Sequence, residues 1–197
     1  MKLDIKKIER KLNTSFLCKN IIYYEDIDST QDEAKKITKN GNIVNGIYIV
    51  TDKQKKGKGT QDRKWYGGEY ENVCGTFVLK PNCNINKLNS LTVLIAKCLV
   101  KAIKNLYNIK LQIKYPHDII CNSTKIAGIL TESITQAEIV QYIFIGIGIN
   151  INQTIFNPEI EYIATSLKKE YKREFCRENI ISEFSNIFEQ EYLKIIK

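Results

Sequence analysis

Lys125 and Asp118 stand seven residues apart in KYPHDIICNSTKIAGIL, on what read as two short facing strands joined by a turn-like N-S-T. Apolar packing accounts for the isoleucines around them but not for an ammonium and a carboxylate. Two uses fit the pair. It can be a cross-strand ion pair that stabilises the sheet. Alternatively, both groups face one ligand: a fixed cation offsets the repulsion when two anions are joined. A neighbouring carboxylate then holds that ammonium, binds a divalent cation or accepts a proton. A second concentration of charge lies upstream. TDKQKKGKGTQDRKW sets Lys53, Lys55, Lys56, Lys58, Arg63 and Lys64 around Gly57 and Gly59. Glycines let backbone N–H groups approach an anion and cations neutralise it, so phosphates and carboxylates are natural guests. The same composition also suits a solvated surface loop. It is not a P-loop, because the G-K-[ST] ending and its spacing are missing. Trp65 closes the stretch and offers either a core side chain or a face for a base. Asn150 ends GIGIN, a strand too small on one face to fill a core; its amide can read a nucleotide or phosphate, or simply form a turn.

The elements that must position these residues are legible from pattern. Residues 3–12 read as a short amphipathic helix and 20–25 as a strand. Thr30 with Glu33 forms a capping-box pattern and Gly41 is a helix stop, so Ser29 and Thr30 sit where a strand gives way to a helix. GIYIVT is a strand, Asp52 to Trp65 a loop, and NVCGTFVLKP another strand. Between Asn86 and Tyr107, Leu88, Leu91, Ile95, Leu99, Ile103 and Leu106 recur at helical spacing. KLQIKY, DIIC, KIAGILTESI and EIVQYIFIGIGIN follow as successive strands, with N-S-T and T-Q-A as turns. Two helices close the chain, the last from about Glu178 to Ile196. Consecutive hairpins among helices predict an α+β fold with a mixed, largely antiparallel sheet. A Rossmann reading fails because neither G-x-G, at Gly57/Gly59 or Gly146/Gly148, has its third glycine.

The 197 residues suit a single domain with its own core. No apolar run approaches the ~18 residues of a membrane span, and the charged N-terminus lacks a signal core, so a cytoplasmic location and no membrane partner are expected. None of the six cysteines forms a C-x-x-C pair, and one histidine cannot complete a Cys/His metal set. Reduced thiols are expected. The net charge of +8 suits a lysine-rich surface, a nucleic acid, an acidic protein or a polyanionic small molecule alike.

Taken in order, Asp28–Thr30 (DST), Gln54–Gly59 (Q-x-x-G-K-G), Arg63–Trp65 (RKW), Lys114–Asp118 (KYPHD), Lys125–Leu130 (KIAGIL) and Gly146–Asn150 (GIGIN) give the chain its resemblance to the catalytic domain of bacterial biotin–protein ligases. The resemblance runs from about residue 20 to the C-terminus. It implies a fold related to class II aminoacyl-tRNA synthetase cores and a two-step reaction. Biotin and ATP with Mg²⁺ give biotinyl-5′-adenylate and pyrophosphate; a lysine amine of a biotin carboxyl carrier domain then attacks the adenylate. ATP, Mg²⁺ and biotin are thus co-substrate, metal and substrate, and no tightly bound prosthetic group is implied. The resemblance assigns Ser29, Thr30 and Gln54 to the biotin rings, and Gly57, Lys58 and Gly59 to a loop closing over carboxylate and phosphates. It puts Gly128 where backbone approaches biotin, and Arg63, Trp65, His117 and Asn150, with Lys58 and Asp118, at the nucleotide. Lys125 and Asp118 carry the catalytic role, and Mg²⁺ is held mainly by phosphates, with Asp118 the one protein candidate.

The chain departs from the family pattern in three places. Y-P-H-D stands where W-P-N-D is common, so His117 replaces an amide at a nucleotide contact. Thr60 stands where a basic residue is common and Asp62 where a glycine is. A missing cation and an added anion predict faster loss of biotinyl-adenylate. Residues 1–19 read as a short helical segment, so no winged helix and no operator binding are expected, and a C-terminal SH3-like domain is expected to be absent. A monomer or a homodimer fits equally. Three other readings stay open: a lipoate or octanoyl transferase on the related fold, a biotin-binding pseudoenzyme, and a nucleic-acid-binding module.

Overall fold

Alternation along IVQYIFIGIGI decides which side of this chain's sheet becomes core. The computed structural model describes residues 1–39, 41 and 43–196. In β10 (Ile139–Ile149), Ile143, Ile145, Ile147 and Ile149 all face one large cluster, where they are buried with Ile95, Leu99 and Ile103 of α3 (Leu91–Tyr107) and Phe184, Phe188 and Tyr192 of α5 (Arg177–Ile196). Ring contacts tie that cluster together, with Phe184 and Phe188 stacked at 5.4 Å between centroids. The other face is unequal along its length. Phe144 packs there with Ala34 of α2 (Thr30–Lys39), Ile47, Ile49 and Val78 in a small second cluster. Past Phe144 that face carries only Gly146 and Gly148 before Asn150.

The remaining strands are β1 (Ile21–Ile27), β2 (Ile47–Gln54), β5 (Val73–Leu79), β7 (Gln112–Lys114), β8 (Asp118–Cys121) and β9 (Thr124–Gln136), with β6 (Cys83–Asn84) on the end of β10. The eight-stranded sheet runs β1-β2-β5-β10-β9-β8-β7, with β6 beside β10. Among the strands of the described residues, only β1 and β2 pair in parallel, because α2 carries the chain back between them; the other strand pairings are antiparallel. The sheet is the mixed, largely antiparallel one the pattern predicts. Asn122 and Ser123, both at positive φ, make the tight turn from β8 to β9, and Ala137 does the same service before β10. No helix among the described residues is long and apolar enough to cross a membrane.

Four element readings change. The long helix expected from Asn86 starts at Leu91; before it lies a 3₁₀ turn, Ile85–Leu88, capped by the Asn84 side chain on Asn86 N–H at 2.9 Å. Asn89 and Ser90 separate the two, as polar residues that favour caps over helix interiors do. The first helix is α1 (Ile5–Glu9), shorter than residues 3–12, because Asp4 caps it. The cap of α2 is Ser29, whose Oγ accepts Asp32 N–H at 3.3 Å, so Thr30–Glu33 is not the capping box. Asp52 to Trp65 is not all loop: β2 continues to Gln54, and β3 (Gly57–Lys58) and β4 (Lys64–Trp65) pair as a small hairpin. Asp52 is buried, paired with Arg177 of α5 at 2.5 Å and bonded to Tyr23 at 2.7 Å. It belongs to the core scaffold rather than to the basic loop.

Candidate active site

Strand period alone would put Lys125 on the wrong side of the sheet. Asp118 pairs with Gly128, and Lys125 lies three residues before Gly128, an odd step that points a side chain to the opposite face. A bulge between Ile119 and Ile120 corrects this: Ile119 faces Ala127, Ile120 faces Lys125, and Ile126 is the extra residue. Ile126 and Ala127 both turn into the core, and Lys125 comes round beside Asp118. Past the end of β10 the free edge of β9 is taken up elsewhere: Lys125 N–H donates to Ile163 O at 2.7 Å and Lys125 O accepts Thr165 N–H at 2.9 Å. Lys125 Nζ lies 2.7 Å from Asp118 Oδ1 and 5.6 Å from the Trp65 ring centre. Asp118 Oδ1 is buried and makes no aligned hydrogen bond, so the contact is an ion pair that leaves acceptor capacity unused.

Beneath this pair the glycines of β10 open a hollow of about 40 Å³, lined among others by Thr30, Gln54, Lys58, Gly59, Trp65, His117, Asp118, Lys125 and Gly128. Trp65 lies across its floor: a Cβ on Gly148 would fall 2.3 Å from the indole Cε2, so only glycine admits the ring there. Gly128 likewise leaves room for the Lys125 stem and the indole edge. Thr30 N–H and Oγ1–H both reach Gln54 Oε1, at 2.8 and 3.0 Å, and Thr76 Oγ1 is 2.9 Å from Thr30 Oγ1. Cys74 also faces this side, and burial pushes its thiol up to about 11. It is not a nucleophile at neutral pH.

Two larger cavities meet the hollow under the hairpin. One, of about 590 Å³, is lined by the apolar Ile120, Ile160, Ile163 and Ala164, by the basic Arg63, Lys64, Lys114 and Lys125, and by Asn150. The other, of about 820 Å³, runs under Lys55, Lys56, Gly57 and Lys58. Gly59, Thr60, Trp65, Asp118 and Lys125 line both the hollow and the first cavity, so the ion pair stands at their seam. Among the described residues, four buried side-chain polar atoms lack a hydrogen-bond partner. Trp65 Nε1, Asp118 Oδ1 and Asn150 Oδ1 are three of them; Tyr192 Oη is the fourth. Buried polar atoms are ordinarily satisfied, so Trp65 Nε1 and Asn150 Oδ1, with the acceptor capacity that the Lys125 ion pair leaves on Asp118 Oδ1, mark a place suited to polar ligand atoms.

The hairpin over the site is held by weak ties. Lys55, Lys56 and Lys58 pair with Asp26, Asp28 and Asp32 at 3.0, 2.7 and 2.6 Å, all well exposed. Such pairs contribute little each, so the flap can shift. Gln61 and Asp62 turn its tip at positive φ. Arg63 bends back on Thr60, donating to its carbonyl at 3.1 Å and its hydroxyl at 2.7 Å, and Thr60 Oγ1 is 3.4 Å from His117 Nε2. Two of the three sequence departures, Thr60 and His117, therefore touch one another.

The structure gathers Thr30, Gln54, Lys58, Gly59, Trp65, His117, Asp118, Lys125 and Gly128 at the hollow, and Arg63 and Asn150 at the adjoining cavity. Gly57 lies behind, where the hairpin strands approach closely. Ser29 lines none of the three cavities; its hydroxyl is engaged as the α2 cap. Sequence reasoning passed over Gln31, Thr76 and the Ile160–Ala164 wall. Thr76 could have been found as the polar residue on the glycine side of β5; the wall has no local signature. Among the described residues, no group of three His, Cys, Asp or Glu is arranged to hold a metal ion.

The profile described as Biotin/lipoate A/B protein ligase family matches residues 23–150. The "Bifunctional ligase/repressor BirA" of Bacillus subtilis is 35% identical over 193 residues, 97% of this chain and 59% of that protein. The "Biotin--[acetyl-CoA-carboxylase] ligase" of Paracoccus denitrificans is 32% identical over 63% of this chain and 51% of that protein. The chain thus spans little more than half the length of these relatives. Among solved structures, the Aquifex aeolicus biotin protein ligase in complex with biotin and ATP superposes with a TM-score of 0.75 at 27% identity, covering 89% of this chain and 71% of that one. The Leishmania major biotin protein ligase shares the fold, with a TM-score of 0.72 at 22% identity over 87% of this chain and 74% of that one.

Proposed function

Because the chain belongs to the biotin/lipoate A/B protein ligase family, we propose that it activates biotin with ATP and transfers it to a lysine of a biotin carrier domain. The observation that carries this reading is the seam: the hollow and the large mixed cavity share Lys125 and Asp118. An acid in the first and a nucleotide in the second would meet at one fixed ammonium. Thr30 and Gln54 would hold the acid's rings; the isoleucine wall would take the base. Asn150, Arg63, Lys58 and His117 would contact phosphates and ribose. The hollow, at about 40 Å³, is far below the roughly 300 Å³ of small-molecule sites, so Trp65 and the hairpin must shift to admit an acid.

In the first step a biotin carboxylate oxygen attacks the α-phosphorus of ATP, forming the acyl–phosphate bond as the bond to pyrophosphate breaks. Lys125 offsets the repulsion of the approaching anions and the charge that builds on the phosphoryl oxygens. In the second step the carrier lysine nitrogen attacks the acyl carbon and AMP leaves with the C–O bonding pair. The amine's proton goes to Asp118, the carboxylate that stands at the seam. Mg²⁺ would arrive with the nucleotide and relieve phosphate charge. Asp118, whose Oδ1 keeps acceptor capacity beyond its ion pair with Lys125, would be the protein oxygen suited to it, and one carboxylate makes no cage of its own.

The test is biotin-dependent ATP–pyrophosphate exchange with Mg²⁺, run with lipoate, with no acid and with Lys125→Ala. Exchange with biotin alone, lost in the variant, is the expected result. Exchange with lipoate instead would move the chain to the lipoate branch. A folded protein that binds biotin without exchange would reduce it to a binding protein.

A further inference from the structure

Gln31 is only 3% exposed at the inner end of the hollow, a long polar side chain where apolar packing would ask for a leucine. Its carboxamide fills the space that a side chain on Gly146 would need, since a Cβ there would lie 2.8 Å from Gln31 Oε1. Its two ends are told apart by their neighbours. Nε2 donates to Glu132 Oε2 at 2.8 Å, and Glu132 Oε1 pairs with Lys35 Nζ at 2.7 Å. A salt-bridged carboxylate accepts hydrogen bonds and cannot donate one, so it holds the amide NH₂ toward itself and leaves Oε1 toward the hollow. There Oε1 meets Thr76 Oγ1 at 3.0 Å.

Counting protons shows what is missing. Gln54 Oε1 takes both the N–H and the hydroxyl proton of Thr30. The one remaining hydroxyl proton, on Thr76, lies between Thr30 Oγ1 at 2.9 Å and Gln31 Oε1 at 3.0 Å. Gln31 Oε1 therefore keeps at least one acceptor site that nothing in this network fills.

We propose that Gln31, oriented by Glu132 and Lys35, is a specificity-determining residue whose Oε1 demands an N–H donor on the ring of the bound acid. This rests on the proposed function and names the substrate chemistry of the same site. A cyclic urea presents ring N–H groups and completes the network. The dithiolane of lipoate and the alkyl end of octanoate present none and would leave Oε1 with no donor beyond the shared Thr76 hydroxyl. Sites built to hydrogen-bond a substrate N–H reject analogues that lack it, here by roughly ten- to a hundredfold.

Isothermal titration of the full chain with biotin and with octanoate tests this, on the wild type, Gln31→Met and Glu132→Gln. Methionine keeps the length of the wall and removes the acceptor; Glu132→Gln frees the Gln31 amide to turn over without changing the hollow's volume. The expected result is a ten- to hundredfold loss of biotin affinity in Gln31→Met with octanoate binding kept or tightened, and a smaller shift of the same ratio in Glu132→Gln. A folded Gln31→Met with the wild-type biotin-to-octanoate ratio overturns the assignment and leaves Gln31 a wall. Should that variant not fold, an unchanged ratio in Glu132→Gln overturns it equally. A wild type that binds octanoate and not biotin contradicts both the assignment and the proposed function, whereas biotin binding that ignores Gln31 sinks the assignment alone.

Discussion

The two faces of β10 are made by one alternating sequence and serve opposite ends. On one, Ile143, Ile145, Ile147 and Ile149 are buried against α3 and α5, where methyl groups meet rings and helix faces closely. On the other, Phe144 is packed under α2, and then Gly146 and Gly148 withdraw all side-chain volume. What fills that space comes from outside the sheet: the Gln31 amide over Gly146 and the Trp65 ring over Gly148. The isoleucine face gains by burying apolar area, and Tyr192 Oη is the one buried side-chain polar atom left unpartnered there among the described residues. The glycine face holds Trp65 Nε1 and Asn150 Oδ1 without hydrogen-bond partners and Asp118 Oδ1 with only its ion pair to Lys125, and is capped by a hairpin tied down by exposed ion pairs. Stability and ligand chemistry are thus separated by one residue step along a single strand. Cavities and affinity should respond to different substitutions on its two sides.

The separation is tested most severely at the seam. Lys125→Ala should lower adenylate formation by on the order of 10³-fold, while the melting temperature stays within a few degrees, because the lost group faces ligand and not core. Coincident loss of activity and fold would show that the ion pair with Asp118 is structural. Next in size, Ile147→Ala should destabilise the protein by roughly 2–5 kcal/mol in denaturant titration through the cavity it leaves. Any surviving folded fraction should bind biotin normally. Gly148→Ala, one residue on, should do the reverse. Its Cβ would collide with the Trp65 ring, and the overpacking falls on the hairpin cap rather than the core; biotin affinity should drop about ten- to a hundredfold with little change in unfolding midpoint. If Gly148→Ala and Ile147→Ala unfold the protein alike, the two faces are one core and the comparison fails. The smallest effect is expected at Thr60→Arg. It adds a cation to the flap and removes the Thr60 hydroxyl that holds Arg63, so release of biotinyl-adenylate, followed by stopped-flow, should slow several-fold. Equal release rates would discard the idea that Thr60 makes the intermediate leaky.

The sequence by itself determined the element order, the sheet's mixed character and the ingredients of the site. Alternation in IFIGIGIN assigned isoleucines to the core and glycines to a hollow, because side-chain direction in a strand has period two. The basic, glycine-bearing stretch, Trp65 and the Lys125–Asp118 hairpin were legible because composition and short-range spacing encode them, though the stretch read as a loop and not as the β3–β4 hairpin. Other features depended on tertiary structure. Lys125 reaches the ligand face only through the bulge at Ile126, which is stabilised by hydrogen bonds to Ile163 and Thr165 some forty residues away. Ser29 became the helix cap and Thr30 was freed to meet Gln54, a choice made by where α2 starts against β2. Asp52, in sequence the first acid of a charged loop, became a buried partner of Arg177 because β2 runs on beneath α5. Gln31 acquired its orientation from Glu132, a hundred residues on and across the sheet. Each of these rests on contacts between segments far apart in the chain, and no local pattern can record which distant group will arrive to satisfy a polar atom.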